Sequence, residues 1–280
     1  MIFSIIIPTW NNLEMLKLCV EAIRQHSAYE HEIILHINEG ADGSENWAIT
    51  EGVLFTFSSE NMGICKAMNL AFGKATKDYI VYLNDDMYVL PNWDKYLIDE
   101  IQNMGNQLFM LSSTLIEPTT LSYPCMIHGD YGQDVKHFQK EKLLAAFQKY
   151  EMKDWHGSSW PPLVVSREAW LLIGGFSIEF SPGMYSDPDF SMKMWQAGCR
   201  IFKGLGHSRV YHFQSRSTGR VKKNDGRTQF MKKWGLSASA FYKYYLKMGK
   251  PCKGVLAENT EGGIFLKWES LKARFYGMIK

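Results

Sequence analysis

The stretch Tyr79-Ile80-Val81-Tyr82-Leu83-Asn84-Asp85-Asp86 joins an apolar run to an abrupt polar end. The apolar part predicts a strand over Tyr79–Leu83, buried on both faces of a parallel sheet. The polar residues then fall at the carboxyl edge of that sheet, where open α/β sheets bind their ligands. Adjacent carboxylates need a cation or hydrogen bonds to offset their repulsion, and oxygen ligands suit Mg²⁺ or Mn²⁺. The alternative is a solvated turn, because Asn and Asp often form turns.

Strands and helices alternate around this stretch. Ile2–Ile7 predicts a strand that Pro8 ends, and a helix capped by Asn11 or Asn12 follows it. The further predicted strands are Glu32–Ile37, Val53–Phe57 and Pro162–Ser166, and the further predicted helices are Ile64–Ala75, Arg167–Ile173 and Phe190–Ala197. Such alternation predicts an α/β fold, with helices on both faces of a mostly parallel sheet.

The pattern loosens after about Pro118, where we expect loops and acceptor-side structure. We therefore predict a catalytic domain over residues 1–220, with a donor half of about 1–117 and an acceptor half of about 118–220. Residues 221–280 are predicted to form a C-terminal helical extension.

Composition narrows the class of protein. The chain has 280 residues, 46% of them hydrophobic, and a formal net charge of +2, so nucleic acid is not an expected partner. Its five cysteines are scattered and never paired as C-x-x-C, which favours reduced cytosolic thiols. No segment has the roughly 20 uninterrupted apolar residues of a spanning helix. We expect a soluble cytoplasmic protein, and any contact with the membrane is expected to be peripheral and on the inner face of the membrane.

Four segments, taken in order and spacing, resemble family 2 glycosyltransferases of the GT-A fold over roughly residues 2–215. They are SIIIPTWNN (4–12), NEGADGS (38–44), ENMGICKAMNLAFGKATKDYIVYLNDD (60–86) and GGFSIEFSPGMYSDPDFSMKMWQAGCR (174–200). The resemblance implies a Rossmann-like GT-A sheet and inverting transfer of a sugar from a nucleotide diphosphate, with a UDP-sugar the favoured donor. It also implies a Mn²⁺ or Mg²⁺ cofactor, a sugar or lipid-linked saccharide acceptor, and a place in polysaccharide or glycoconjugate synthesis.

The resemblance also implies which residues bind the donor. These are Pro8, Thr9, Asn38, Glu39, Asp42, Asn61, Gly63, Lys66, Asn69, Asn84 and Asp85, with Arg220 in a basic tract that can fold over the diphosphate. The family usually has an Asp where this chain has Asn38 or Glu39, so the residue that contacts the nucleotide base, and the identity of that base, stay open. The alternatives are a helix cap at Asn61, a surface position for Lys66 and a solvated basic loop at Arg220.

Metal and catalytic residues follow from the same resemblance. Asp86 matches the metal ligand of the family's Asp-x-Asp motif, in which Asn84 replaces the first acid, and His212 matches a remote ligand. Asp187 and Asp189 match the pattern that carries the catalytic base, although Ser186 replaces the preceding Glu. The alternatives are a packed histidine and aspartates that cap the following helix.

Aromatic residues suggest two further contacts. Trp160 and Tyr185 are candidate acceptor-binding residues, because aromatic faces stack on sugars, although most aromatic side chains are core residues. Near the end of the chain, apolar residues recur at helical spacing among basic ones: Ile264, Trp268, Leu271, Phe275 and Met278. Such a helix can lie on a membrane or pack on protein.

Two other functions remain open. A nucleotidyltransferase of the same fold would carry a Gly-rich phosphate loop after the first strand, which Pro8-Thr9-Trp10-Asn11-Asn12 lacks. An inactive sugar-binding relative would account for Asn84 and Ser186.

Overall fold

The computed structural model describes residues 3–119, 123–214 and 224–258, together with residues 263, 266–268, 271 and 273. Within these residues, ten strands form one mixed sheet. The strands are β1 (Phe3–Trp10), β2 (Glu32–Asn38), β3 (Leu54–Ser58), β4 (Tyr79–Tyr82), β5 (Met87–Val89), β6 (Phe109–Glu117), β7 (Ile127–His128), β8 (Trp155–His156), β9 (Leu163–Ser166) and β10 (Ile201–His212).

Helices connect most of the strands. They are α1 (Leu13–His26), α2 (Ser44–Thr50), α3 (Gly63–Phe72), α4 (Trp93–Met104), α5 (Lys140–Ala146), α6 (Arg167–Ile173), α7 (Ser186–Gln196), α8 (Gly226–Trp234) and α9 (Ala238–Ala240). Short 3₁₀ turns lie at Phe147–Lys149 and Ile178–Phe180, and a π-helical turn at Phe241–Tyr245 continues α9.

The sheet runs in the order β3-β2-β1-β4-β9-β6-β10-β5, with β7 beside β6 and β8 beside β10. Strands β3, β2, β1 and β4 are parallel, as are β6, β7 and β10. Strand β9 separates the two groups and is antiparallel to both neighbours. The carboxyl ends of β1, β2 and β4 therefore meet at one edge.

The core has a layer on each face of the sheet. Side chains alternate along β1, so Phe3, Ile5 and Ile7 join one buried cluster and Ile6 joins the other. Helices α1, α2, α4 and α5 contribute to the first cluster, and α3, α6, α7, α8 and α9 to the second. The predicted mostly parallel α/β sheet with helices on both faces is confirmed.

Helix α6 has the bounds that its sequence predicts. The hydroxyl of Ser166 accepts a hydrogen bond from the backbone N–H of Ala169 at 3.0 Å and so caps its start. Gly174 ends the helix with a left-handed φ of 72°, a conformation that glycine adopts at little cost.

The prediction that Pro8 ends the first strand is wrong. Strand β1 continues to Trp10, and Pro8 pairs with His36 of β2. Pairing with β4 stops at Ile6, so Pro8 lies where β1 has a neighbour on one side only. A proline is tolerated there because no ladder bond from its nitrogen is needed.

Two other boundaries also differ from the sequence expectations. Helix α7 begins at Ser186 rather than Phe190, so Asp187 and Asp189 lie inside its first turn and neither side chain caps it. After about Pro118, where loops and acceptor-side structure were expected, the structure has β7, α5 and β8, which are too short to give a clear periodicity.

The carboxyl-terminal residues are described only in part. Trp268 and Leu271 are exposed, whereas Ile264, Phe275 and Met278 lie outside the described residues. Among the helices that the structure describes, none combines the length and apolarity needed to cross a bilayer. The division of the chain at residue 220 stays a prediction.

Candidate active site

The polar ends of β1 and β4 are joined by a side-chain hydrogen bond. Thr9 donates from Oγ1 to Oδ2 of Asp85 at 2.7 Å, and Thr9 itself is buried. Pairing of the two parallel strands brings these residues to the same edge, as the sequence suggested. Asn84 lies partly buried beside them, and its backbone carbonyl faces the thiol of Cys19 at 3.6 Å.

Asp86 and His212 face each other across the sheet edge. Oδ1 of Asp86 lies 3.5 Å from Nε2 of His212, because β10 pairs with β5 and places His212 opposite Met87. The backbone N–H of Phe213 donates to the carbonyl of Asp86 at 3.1 Å. The structure thus brings together the two residues that the sequence assigned to the metal, although they are 126 positions apart in the chain.

Glu117 completes this arrangement, and the sequence analysis missed it. Its Oε1 lies 2.7 Å from Nδ1 of His212, and its Oε2 accepts a hydrogen bond from Gln214 Nε2 at 2.8 Å. Glu117 is buried at the carboxyl end of β6. A carboxylate that ends a long apolar strand was the available signal, and Asp85 and Asp86 had been identified by that same signal.

The charge on His212 follows from these neighbours. Burial alone lowers the pKa of its imidazole, but the carboxylates of Asp86 and Glu117 outweigh burial and raise that pKa to about 10. The imidazole is therefore protonated at neutral pH and offsets part of the negative charge of the two acids. It must release the Nε2 proton to bind a cation through that atom.

Most predicted donor-binding amides are bonded within the protein. Asn38 donates from Nδ2 to the carbonyl of Thr9 at 3.1 Å, and its Oδ1 accepts from the backbone N–H of Met62 at 3.0 Å. Asn69 bonds both the carbonyl and the N–H of Phe176 through its amide. Asn61 accepts from the N–H of Gly63 at 2.9 Å, in a turn that directly precedes α3, whose N-cap is Met62. Their direct contact with a donor stays a prediction.

The loop after β2 is held by carboxylates. Asp42 accepts from the backbone N–H of Leu13 at 2.7 Å and from Ser44 through both its N–H and hydroxyl, so it fixes the start of α1. Glu39 has a left-handed φ of 62° and accepts from Asn11 Nδ2 at 2.9 Å. These bonds hold the loop after β2 against the start of α1 and give both residues a structural role.

Gly63 marks a close approach of backbones near the site. Its φ is +78°, and a Cβ at this position would lie 2.4 Å from Cα of Pro182. The N–H of Ile64 donates to the carbonyl of Pro182 at 2.8 Å. This contact brings the start of α3 against the segment that leads into α7, while Lys66 is exposed one turn later. The glycine is therefore required by packing.

Asp187 and Asp189 have different surroundings although both lie in the first turn of α7. Asp189 is fully buried, and its Oδ1 lies 2.8 Å from both the Trp234 indole nitrogen and the Lys233 ammonium. Asp187 is partly exposed, and its buried Oδ1 has no partner. Burial raises the pKa of Asp187 to about 7, and a hydrogen bond from Ser186 opposes that rise.

Tyr82 connects the two acidic groups of the site. This tyrosine is buried in β4, directly before the polar end of the strand. Burial raises the pKa of its hydroxyl, and the charges of Asp187 and then of Asp86 and Asp85 raise it further. Charges act on one another mainly over short distances, so Asp187, Asp86 and Asp85 all lie in the neighbourhood of this one hydroxyl.

Aromatic residues from distant segments pack together near Asp187. Trp160 stacks on Tyr123 and on Trp155, in each case with ring centroids 5.3 Å apart. Tyr242 packs edge-on against Tyr123 and accepts a hydrogen bond from Ser159 at 3.1 Å. Burial raises the pKa of Tyr242, and the charge of Asp187 adds to the rise. Tyr185 directly precedes α7 with a φ of 69°.

Arg220 and its neighbours at residues 215–223 lie outside the described residues.

Comparison with known proteins assigns the family. Residues 4–160 match the description Glycosyl transferase family 2, which is more than half of the chain. The chain belongs to glycosyltransferase family 2. No curated protein matches it. The predicted family is thereby confirmed.

Solved structures similar to this family 2 chain share its fold at low identity. A 1–349 fragment of S. aureus TarS is 14% identical with a TM-score of 0.57, covering 76% of this chain and 60% of that one. The same fragment in complex with UDP-GlcNAc gives a TM-score of 0.58 at 14% identity, covering 84% and 66%. GalNAc-T7 with UDP, GalNAc and Mn²⁺ gives 0.59 at 16% identity, covering 86% and 49%. The GT-A fold is therefore confirmed, and the chain spans about three fifths of the TarS fragment.

The side chains of this family 2 chain can be tested against the metal that the resemblance implies. Among the described residues, no group of three or more His, Cys, Asp or Glu side chains is arranged to enclose a metal. Asp86 and His212 offer one oxygen and one nitrogen, and Mg²⁺-type cations in phosphate-transfer sites take only one or two carboxylates and complete their shell with phosphates and water. Glu117 orients the imidazole from Nδ1, as carboxylates do behind metal-bound histidines. The donor set fits such a cation.

Proposed function

We propose that this chain transfers a sugar from a nucleotide-diphosphate sugar to an acceptor hydroxyl, with inversion at the anomeric carbon, in polysaccharide or glycoconjugate synthesis. The observation that carries the proposal is Asp187: a partly exposed carboxylate with a buried, unpartnered oxygen and a pKa of about 7, beside the tyrosine that precedes Asp85 and Asp86. A base poised near neutral pH suits proton removal from a hydroxyl.

In the proposed reaction Asp187 accepts the proton of the acceptor hydroxyl while that oxygen attacks the anomeric carbon. The bond from this carbon to the diphosphate breaks, and the nucleoside diphosphate leaves with the bonding electrons. Because the carboxylate removes the proton as the new bond forms, it need not deprotonate a free alcohol. Asp189 is a weaker choice of base, because it is fully buried and paired with Lys233.

Asp86 and His212 are the proposed holders of Mn²⁺ or Mg²⁺ at the diphosphate. A cation bound there offsets the negative charge that grows on the leaving group. Thr9, through its bond to Asp85, keeps the neighbouring carboxylate fixed at the sheet edge. Loss of turnover in excess chelator is expected, and full activity in chelator would refute this part of the proposal.

A UDP-sugar is the proposed donor. This choice is supported by the TarS and GalNAc-T7 structures, which hold UDP-GlcNAc and UDP. The proposed acceptor is a sugar, whose apolar face suits the aromatic side chains of Trp160 and Tyr185. Tyr123 stacks on Trp160 and packs edge-on against Tyr242, whose pKa the charge of Asp187 helps to raise.

A donor panel tests the proposal. UDP-, GDP-, CDP- and dTDP-sugars, each with Mn²⁺ or Mg²⁺, are compared by the shift in melting temperature, because a ligand of the native state stabilises it. Release of the nucleoside diphosphate from the best donor is then measured. We expect stabilisation and release with a UDP-sugar. If a donor raises the melting temperature but no nucleoside diphosphate is released with any of the acceptor sugars tried, the chain would instead be an inactive sugar-nucleotide binder.

Peripheral membrane contact through the C-terminal segment, on the cytoplasmic face, is also proposed. The membrane contact is supported by the apolar side chains of Trp268 and Leu271, which are 68% and 53% exposed. The cytoplasmic side is supported by the five cysteines, which are all free thiols. Flotation with anionic liposomes, with and without residues 260–280, tests it. Equal flotation of both chains would refute it.

A further inference from the structure

Helix α8 lies against both ends of the turn that carries Asp187. At its start, Asn224 donates from Nδ2 to the carbonyls of Phe180 and Met184, at 3.2 and 3.4 Å. Gly226, two positions later, is the first residue of α8, and a Cβ there would lie 2.1 Å from the carbonyl oxygen of Met184. The first turn of α8 is therefore in direct contact with the backbone that leads into α7.

The other end of α8 binds the far side of the same turn. Lys233 places its ammonium 2.8 Å from Asp189 Oδ1, and Trp234 donates its indole N–H to that oxygen at 2.8 Å. Lys233 also contacts Glu179 at 2.8 Å and Ser177 at 3.0 Å, so it ties the preceding 3₁₀ turn to α7. A buried carboxylate is tolerated when it is paired and hydrogen-bonded in this way.

The pairing separates the two aspartates by role. Asp189 is 0% exposed and held by α8, so it cannot reach a substrate. Asp187 is partly exposed two positions earlier on the same helical turn, and no side chain of α8 holds its buried Oδ1. Because both aspartates lie in the first turn of α7, contacts that fix Asp189 also fix the backbone that orients Asp187.

We propose that Lys233 and Trp234 are positioning residues, which hold Asp189 and thereby aim Asp187 at the acceptor hydroxyl. This inference rests on the proposed function of Asp187. Small misplacements of a reacting group are costly, since about 1 Å of error can reduce the rate roughly 100-fold. The segment after residue 220 would then be part of the catalytic machinery rather than an addition to it.

Two variants of α8 test the inference. Lys233→Met removes the charge opposite Asp189, and Trp234→Phe keeps an aromatic ring but removes the N–H donor. Lys232→Met is the matched control, because Lys232 is exposed, lies next to Lys233 in the chain, and loses the same positive charge when it is replaced. Transfer from a UDP-sugar and UDP affinity are measured for each folded variant, with melting temperature as the check of folding.

We expect kcat to fall roughly tenfold or more in Lys233→Met and Trp234→Phe, with unchanged UDP affinity and with KM for the donor unchanged. Lys233→Arg keeps the positive charge and should therefore keep most of the wild-type kcat. Lys232→Met should have the kcat of the wild type. Wild-type kcat in Lys233→Met or Trp234→Phe would overturn the inference, as would a parallel loss of UDP affinity. If Lys233→Met fails to fold, Trp234→Phe decides the outcome alone. Full activity of Asp187→Asn would instead overturn the proposed function itself.

Discussion

His212 donates its Nδ1 proton to Glu117 across 2.7 Å, while its Nε2 faces Asp86 at 3.5 Å. The imidazole is thus oriented by a carboxylate on one side and directed at a proposed cation position on the other. Glu117 is itself fixed by Gln214, so the ring orientation depends on residues at the ends of both β6 and β10.

Replacing Glu117 should weaken metal binding without removing a metal ligand. Glu117→Gln keeps the size of the side chain but loses the charge that orients His212, and such outer carboxylates are worth roughly 10- to 100-fold in metal affinity. Mn²⁺ affinity measured by electron paramagnetic resonance, in the presence of UDP, gives the readout. Glu151→Gln, at an exposed position, is the control, and equal affinity of the two variants would show that Glu117 has no part in metal binding.

The activity should depend on pH through Asp187. Its carboxyl must be ionised to accept a proton, and burial raises its pKa to about 7. The value of kcat/KM should therefore rise with pH along an acid limb centred near pH 7, since this ratio reports the free enzyme. A limb near the ordinary carboxyl pKa of about 4 would contradict the assignment.

The same carboxyl should lower stability as the pH rises. The Asp187 carboxyl has a pKa of about 4 in the unfolded chain and of about 7 in the folded chain. Between these pH values the folded state therefore binds more protons than the unfolded state. The stability of the folded state therefore decreases from about pH 4 to about pH 7 and stays low above that range. Asp187→Asn lacks this loss, so its melting temperature should rise increasingly above that of the wild type from about pH 4 to about pH 7.

Differential scanning calorimetry across that range measures the effect. Glu168→Gln, at an exposed site on α6, should follow the wild type at every pH. A constant difference between Asp187→Asn and the wild type would mean that the Asp187 carboxyl is not buried as described.

Close packing at Gly63 gives a test of the fold around the site. Gly52→Ala meets only the strain of a left-handed φ of 64°, because nothing lies within 4 Å of the added Cβ, at a cost of about 1 kcal/mol. Gly63→Ala meets a similar φ and also the backbone of Pro182, so its free energy of unfolding should fall roughly 2 kcal/mol further. Urea denaturation of both variants compares them, and equal losses would contradict the contact.

Local sequence predicted much of this fold. Helix α6 was predicted with its observed bounds because a predicted strand ends before it at Ser166 and glycines follow it at Gly174, and the apolar run at Tyr79 located β4 within one residue. Pro8 misled the prediction, because the pairing of β1 with β4 stops before it, so no backbone donor is needed at that position. A single strand cannot reveal where its neighbour ends.

Site residues that lie next to the end of a strand could be predicted from the sequence. Contacts between segments that are distant in the chain could not. Asp86 and His212 were expected and face each other, but the bond from Glu117 to His212 joins residues 95 positions apart. The separate surroundings of Asp187 and Asp189 depend on Trp234 of α8, which is 45 positions away from Asp189. No periodicity or motif around the two aspartates carries that information.

One measurement tests the central claim most directly: release of UDP from a UDP-sugar with Mn²⁺, followed for the wild type, Asp187→Asn and Asp86→Asn, with UDP affinity measured in parallel. The wild type should release UDP, and each variant should be slowed at least about 100-fold. UDP affinity should be kept in Asp187→Asn and, with Mn²⁺ present, weakened in Asp86→Asn. Wild-type release by Asp187→Asn would contradict the account.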